Sequence, residues 1–339
     1  MSALPARGQH LLLAFLLVLL AACGQAPGPV TLQGPTMGTR YHVTLVAGSE
    51  TIDPAQMQAG IDAVLDTIED SMSSWRDDSE ISRFNRAPPG KWWPVSAGFL
   101  EVFSLARQVT LASDGAYDVS VAPLVELWGF GPGAGASIPG QAQIDAAMQR
   151  VGEAYVDMDV PGQRLRKQRP LALDFSSIAK GYGVDKLGQW LEQQGHVNYM
   201  VEIGGEIRVR GHSPRGTPWR IAIEKPEPVA REAVAVLEIT DQAVATSGDY
   251  RNFFEVDGVR YSHSIDPRKG RPVRHQLVSV TVVHRSTTLA DAWATALIVL
   301  GPEQALKTAL RESLAVYLIS REPGGLRVDK TPAIETYLQ

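Results

Sequence analysis

The stretch TTLADAWATALIVLG, Thr287 to Gly301, decides how the chain is to be folded. Ala290, Ala292, Trp293, Ala294, Ala296, Leu297, Ile298, Val299 and Leu300 leave it almost no polar face. A helix that is apolar all round is a buried one. LVSVTVVH (277–284) reads as a strand leading into it. Gly301-Pro302 ends it and starts a second helix through Leu306 and Leu310, after which LAVYLIS and GLRVD return as strands. Within the oily helix, Asp291 and Thr295 stand at i and i+4, so both side chains look the same way. A carboxylate there needs a cation or several donors, because an unpaired buried charge costs several kcal/mol. Two readings stand at this point. Asp291 caps the helix, with Thr287 or Thr288 just upstream; or Asp291 and Thr295 are oxygen ligands of a hard cation such as Mg²⁺.

Outward from this helix, no internal repeat and no long low-complexity tract appears. YHVTLV (41–46) alternates as a strand does. Asp53, Pro54 and Gln56 then form a capping-box start for a helix with Ile61, Val64, Leu65, Ile68 and Met72 inward. Ser96 opens another helix through Leu100, Phe103, Ala106 and Val109, and a short one carries Ile144, Ala147, Met148 and Val151. Gly129–Gly140 lacks GxGxxG spacing before a helix and reads as a surface loop. LALDF reads as a strand feeding a helix from about Ser177 to Gln194. YMVEIGGEIRVRG is a hairpin turning at Gly204-Gly205, and FFEVDGVRYSHSI another turning at Asp257-Gly258. Helices and hairpins without regular βαβ alternation predict an α+β fold, with mixed or antiparallel sheets and packed helices. Residues from about 30 to 339 are expected to form one catalytic unit.

The beginning of the chain has another purpose. Met1–His10 is short, polar and carries Arg7; Leu11–Ala22 is apolar throughout. A run that short does not make a permanent span, which takes about 20 residues. Residues 1–22 are read as a signal peptide. Cys23 is the only cysteine, so it has no internal disulfide partner. Leu20-Ala21-Ala22-Cys23 resembles a bacterial lipobox, which implies cleavage before Cys23 and lipid on its sulfur. Residues 23–29 are then a lipidated cysteine and tether, and the protein is expected on the periplasmic side, anchored to a bacterial membrane. The net charge of −5 and the lack of a dominant basic stripe argue against nucleic acid as a partner.

Four stretches combine polar residues with glycines in a way a plain core avoids. GPTMGTRYHV offers hydroxyls and backbone N–H groups at Thr36, Gly38 and Thr39. In LDFSSIAKGYGVDKL, Asp174 ends the apolar run, and Ser176 or Ser177 is expected to cap the next helix, whose N-terminus attracts anions. Lys180 in the first turn opposes the helix dipole, so a separate anionic partner is expected. TSGDYRNFFEVDGVRYSHSIDPRKGRPV gathers Ser247, Asp249, Arg251, His263, Asp266, Arg268 and Lys269; His263, read onto the returning strand, is the natural general base near neutral pH. Asp291 and Thr295 complete the set. No His or Cys pair at zinc spacing appears. A hard cation with few protein ligands fills its shell with water and phosphate oxygens, which suggests phosphoryl-type transfer on a pyrophosphate.

TMGT, GAYDVSVAPLVELWGFG, LDFSSIAKGYGVD, EIGGEIRVRG, ATSGDYRNFF, SHSIDPRKGRPV and ADAWATAL, in this order, resemble the FAD:protein FMN transferase (ApbE) family. The resemblance implies a fold of the family's T-fold-like kind. It also implies that FAD is split at its pyrophosphate under Mg²⁺, that FMN passes to a threonine or serine hydroxyl of an acceptor protein, and that AMP leaves. Acceptors in the family are subunits of sodium-pumping NADH:quinone oxidoreductases and Rnf-type complexes. By motif, Met37, Trp75, Ala116, Tyr117, Asp118, Asp174, Lys180 and Ile265 are expected at the FAD. Asp291 and Thr295 match the magnesium ligands, with Ser177 and the Ala294 carbonyl as further candidates. His263 matches the base that deprotonates the acceptor hydroxyl. Arg251 is assigned to a phosphate from its charge alone. Two rivals are an FAD pyrophosphate hydrolase giving FMN and AMP, and a non-catalytic flavin-binding lipoprotein.

Overall fold

The chain enters its core as a hairpin, β1 (Val30–Thr36) and β2 (Thr39–Leu45). The computed structural model describes residues 28–339 except 47, 49–51, 133–134, 136, 228–231 and 249–252. The expected signal peptide, Cys23 and Arg251 therefore lie outside the described residues.

Helix α1 (Pro54–Met72) follows; the Asp53 carboxylate accepts from Ala55 N at 2.9 Å, and Pro54 takes the first helical position, where no N–H is needed. Next come α2 (Glu80–Arg86), β3 (Trp92–Pro94) and α3 (Ala97–Ala112), the last capped by Ser96, whose Oγ accepts from Phe99 N. Then α4 (Ala122–Leu127) and α5 (Gln141–Met148) lead to β4 (Val156–Asp159) and β5 (Arg164–Lys167), which pair with β3 in a small sheet. Helix α6 (Ala179–Gln193) precedes the hairpin β6 (Tyr199–Ile203) and β7 (Glu206–Arg210). β8 (Trp219–Glu224) pairs with β9 (Ala233–Ile239), and β10 (Ala243–Gly248) follows. Two small hairpins come next: β11 (Phe253–Val256) with β12 (Val259–Ser262), and β13 (Ile265–Asp266) with β14 (Arg271–Pro272). Finally β15 (Leu277–His284), α7 (Thr287–Leu300), α8 (Pro302–Arg311), β16 (Ala315–Glu322) and β17 (Gly325–Lys330) close the unit.

The main sheet has eight strands in the order β1-β2-β6-β7-β10-β15-β16-β17, antiparallel at every step. This is the α+β arrangement that irregular alternation of helices and hairpins predicts. Helix α7 lies on one face, against α3, α6, α8, β10 and β15. Its apolar surround joins Val280, Val282, Val316 and Leu318 of the sheet and Phe99, Val102 and Phe103 of α3 in one core. The opposite face of β15 offers Val278 and Val283 to Trp219, Ile221 and Leu237 of the β8–β9 ribbon. Coverage on both faces explains why LVSVTVVH carries apolar residues on both faces rather than on one. Each large side chain so buried contributes roughly 1.5–3 kcal/mol.

Three local expectations need correction. Asp291 does not cap its own helix: Ser286 is the N-cap, with Oγ accepting from Leu289 N at 3.3 Å. Nor do Ser176 and Ser177 cap α6, which begins at Ala179 with Ile178 at N-cap and no side-chain cap. The Asp174 carboxylate accepts from Ser176 N at 2.8 Å and Phe175 O accepts from Ala179 N, so a turn forms where a capped helix start was expected. LALDF itself is extended but touches its neighbour only at the Val121–Ala172 bridge and through Asp174 N to Val119 O. Third, β12 ends at Ser262, leaving His263 in the bend just beyond.

Candidate functional site

The centre of the site is the crossing of α6 and α7, where each helix sends an aspartate to the other. Asp185 of α6 takes the start of α7. Its two oxygens accept from Thr287 N (3.0 Å) and Oγ1 (2.9 Å), Thr288 N (3.0 Å) and Oγ1 (2.7 Å), and Ser286 Oγ (2.8 Å). Arg208 adds an ion pair at 3.0 Å. The first-turn N–H groups of a helix lack internal partners, and a carboxylate from another helix satisfies them here. In return, Asp291 Oδ2 of α7 accepts from Gly181 N of α6 at 3.0 Å. The helices approach so closely at Gly181 that an added Cβ would meet Thr287 O at 2.4 Å and Asp291 Cβ at 2.8 Å.

The two aspartates differ in saturation. Burial alone would raise Asp185, but the donors on Thr288, Thr287 and Ser286 outweigh it and hold its carboxyl below the usual range. Asp291 is 3% exposed and, among the described residues, accepts only the Gly181 bond; burial pushes its carboxyl up, with Lys180 and that bond pulling the other way. Lys180 extends from the second residue of α6 to Glu206 Oε1 at 2.5 Å, which supplies the anionic partner its position demands. Glu206 is 4% exposed, and its Oε2 is buried with no partner among the described residues. Burial raises the Glu206 carboxyl; Lys180 lowers it and Asp291 adds to the rise. Two carboxyl groups and one ammonium are thus enclosed together among the described residues. Thr295, one turn on from Asp291, is half-buried, with Oγ1 3.3 Å from Ser247 Oγ of β10.

These oxygens suit a hard cation that takes few protein ligands and completes its shell from a phosphate. Among the described residues no three His, Cys, Asp or Glu side chains converge on a common point. The fit rests instead on the under-bonded Asp291 carboxylate with the hydroxyls of Thr295 and Ser247. Ala294, the other expected contributor on α7, is fully buried between Asp291 and Thr295 in sequence.

A cleft of about 570 Å³ opens beside this centre, lined by Met37, Glu69, Trp75, Ser176, Ala179 and Lys180. Met37 sits at φ 46°, in the left-handed region, at the tip of the β1–β2 turn. Glu69 of α1 fixes that turn, accepting from Thr36 Oγ1 and Met37 N, both at 2.8 Å. Trp75 is 70% exposed, so its ring is free to stack on a planar ligand. Three expected residues, Met37, Trp75 and Lys180, therefore share one wall. Ala116 and Tyr117 are buried in the main core; Tyr117 Oη accepts from Ser177 Oγ at 3.1 Å, and burial drives the phenol well above its ordinary range. Asp118 is spent on structure, its oxygens accepting from Ser120 N, Ser120 Oγ and Glu153 N.

His263 and Ile265 belong to the adjoining cluster. Ile265 is buried with Trp128 and Tyr261, and the His263 ring stands 6.4 Å from the Phe130 ring, edge to face. β13 packs on α7, which joins this cluster to the Asp291 centre. Sequence reasoning missed Asp185, Glu206, Gly181 and Glu69. The first three lie inside motifs already singled out, but their roles depend on partners 26 to 110 residues away.

The chain is similar to known proteins over most of its length. Residues 37–318 match the model of the ApbE family. The chain is 43% identical over 324 residues to the FAD:protein FMN transferase of Vibrio cholerae, covering 95% of this chain and 96% of that one. It is 40% identical to the Salmonella typhimurium enzyme of the same name, covering 94% of each. Among solved structures, it resembles the flavin transferase ApbE of Vibrio cholerae with a TM-score of 0.85 and 42% identity, covering 92% of this chain and all of that one. The apo form of the Pseudomonas stutzeri flavinyl transferase ApbE gives a TM-score of 0.84 at 40% identity, covering 91% of this chain and 96% of that one.

Proposed function

Since the chain belongs to the ApbE family, we propose that it is an FAD:protein FMN transferase that uses Mg²⁺ to pass FMN from FAD to a threonine or serine hydroxyl of an acceptor flavoprotein subunit, releasing AMP. The observation that carries this reading is Asp291: a buried carboxylate with one hydrogen bond among the described residues, one turn from Thr295 and beside a cleft of about 570 Å³.

Asp291 and Thr295 would hold the ion, with Ser247, Ser177 and the Ala294 carbonyl as further oxygen donors; bound there, it supplies positive charge to the diphosphate. Met37 and Trp75 offer the flat and apolar contacts of the flavin or adenine, while Lys180 carries a positive charge at the cleft wall. His263 takes the proton of the acceptor hydroxyl as its oxygen attacks the FMN phosphorus. The bond from that phosphorus to the bridging oxygen breaks, and AMP leaves with the electron pair. The new linkage is a phosphoester. Acceptors of the sodium-pumping NADH:quinone oxidoreductase or Rnf type, and a lipid anchor at Cys23 on the periplasmic side, complete the proposal.

The test is mass spectrometry of a threonine-bearing acceptor peptide incubated with protein, FAD and Mg²⁺. An FMN adduct on the threonine is expected, and His263→Ala should keep FAD binding while losing the adduct. Release of FMN and AMP at the same rate with and without acceptor, and no adduct, would instead mark a hydrolase.

A further inference from the structure

An acidic chain, net −5, concentrates positive charge in one short segment. Residues 268–275 read RKGRPVRH and contain four Lys and Arg with no Asp or Glu. The segment forms the β13–β14 turn and the run beyond it, and it walls a second cavity of about 530 Å³ together with Trp128, Leu300 and Glu303. Two of the four cations are spoken for: Arg268 and Lys269 both hold Asp266, at 2.8 and 3.2 Å. The other two meet only neutral groups among the described residues. Arg271 donates to the Gln141 amide oxygen at 2.5 Å, and the Arg274 guanidinium lies 4.9 Å from the centre of the Tyr261 ring. Both are exposed.

This cavity shares none of the dinucleotide cleft's lining residues. It is tied to the histidine by backbone. Ile265 pairs with Pro272, and Val273 N then donates to Ser264 O at 2.9 Å, which brings Arg274 alongside His263. Tyr261, under Arg274, lies two residues before His263. A reaction that modifies a hydroxyl on a polypeptide needs a second approach to the base, separate from the nucleotide, and Arg274, beside the base along this backbone pairing, lines the cavity.

We infer that the Arg271–Arg274 groove seats an acidic stretch of the acceptor polypeptide next to its modified threonine or serine. The inference rests on the transferase reading above. Unneutralised arginines in a concave, partly apolar site favour carboxylates, held by charge-assisted hydrogen bonds. A concave groove joined to the base suits a peptide better than a membrane surface, which would meet cations on a convex face.

The experiment uses the mature chain and two labelled peptides of equal length, each with one threonine, flanked in one by Asp and Glu and in the other by Asn and Gln. Fluorescence anisotropy reads binding, and mass spectrometry reads FMN transfer in the presence of FAD and Mg²⁺. The acidic peptide should bind about tenfold more tightly than the neutral one. Arg271→Gln/Arg274→Gln should erase that preference, raising KM for the acidic peptide with kcat and FAD affinity little changed. Arg271→Glu/Arg274→Glu should shift preference to a lysine-flanked peptide. Equal affinity for both peptides, or a preference that survives both variants, overturns the inference. So does arginine-dependent sedimentation with anionic phospholipid vesicles without any peptide preference. Binding that follows the expected pattern with no adduct on either peptide would leave the groove standing and sink the transferase reading.

Discussion

Two buried aspartates, exchanged between the same two helices, have opposite surroundings. Asp185 accepts six hydrogen bonds, from Ser286, both donors of Thr287, both donors of Thr288, and Arg208. Asp291 accepts one. The first is a finished structural joint, since the buried Thr287 and Thr288 N–H groups it accepts from open a helix and would otherwise lack a partner. The second is left short of partners in a place where an isolated charge is costly, and the fold holds it there. A protein tolerates such a position where a ligand completes it, and on that ground the proposed functional residue of the pair is Asp291 rather than Asp185.

The comparison can be broken most forcefully at Asp291. Asp291→Asn should cut FMN transfer by about a thousandfold through loss of the cation site, on the scale of several kcal/mol of transition-state charge stabilisation. Its melting temperature in the absence of Mg²⁺ should stay level or rise, because a desolvated charge has been removed. A variant that melts well below the parent would place Asp291 among the structural joints. Asp185→Ala should do the reverse. It leaves the buried Thr287 and Thr288 donors at the start of α7 without their acceptor and takes one of the two carboxylates paired with Arg208, at about 3–5 kcal/mol in urea denaturation, and any loss of transfer should track the loss of folded protein. Gly181→Ala comes next. The new methyl meets main-chain oxygen, which does not yield as a flexible side chain does, so about 1–3 kcal/mol or more of strain is expected with α7 pushed from α6. A thermal melt equal to the parent's would show that the crossing is looser than described.

The smallest effect concerns pH. Asp185 has its folded pKa below its unfolded value, which is about 3.9. Its contribution is therefore present above that unfolded value and drains away as pH falls through the depressed folded one. Asp266, buried but held down by Arg268 and Lys269, has the same sign. Stability measured by denaturant should therefore decline from about pH 4 downward, and Asp185→Asn should flatten that decline. An unchanged slope in the variant would remove Asp185 from the account.

Much of the fold was legible because it rests on local periodicity. The apolar surround of Ala290 to Leu300 announced a buried helix, the Gly204-Gly205 and Asp257-Gly258 turns announced hairpins, and Asp53-Pro54 announced a helix start; all are present. The failures are also local in cause. Ser176 and Ser177 looked like caps because residue type suggests capping, but Asp174 forms the competing turn first. The site was half legible. Lys180 in the wrong half of a helix dipole signalled an anionic partner, yet nothing short of the β6–β7 hairpin folding back identifies Glu206. Likewise Asp185 sits mid-helix in sequence and caps a different helix about a hundred residues on, which no spacing rule encodes.

The claim on which the rest depends is that Asp291 is kept under-bonded for a cation shared with the dinucleotide. Electron paramagnetic resonance of Mn²⁺ titrated into the mature protein, with and without FAD, tests it directly for the parent and Asp291→Asn. One saturable site that tightens with FAD, present in the parent and gone from the variant, is the predicted result. Equal Mn²⁺ binding by the two proteins, with FAD bound to both, would contradict it.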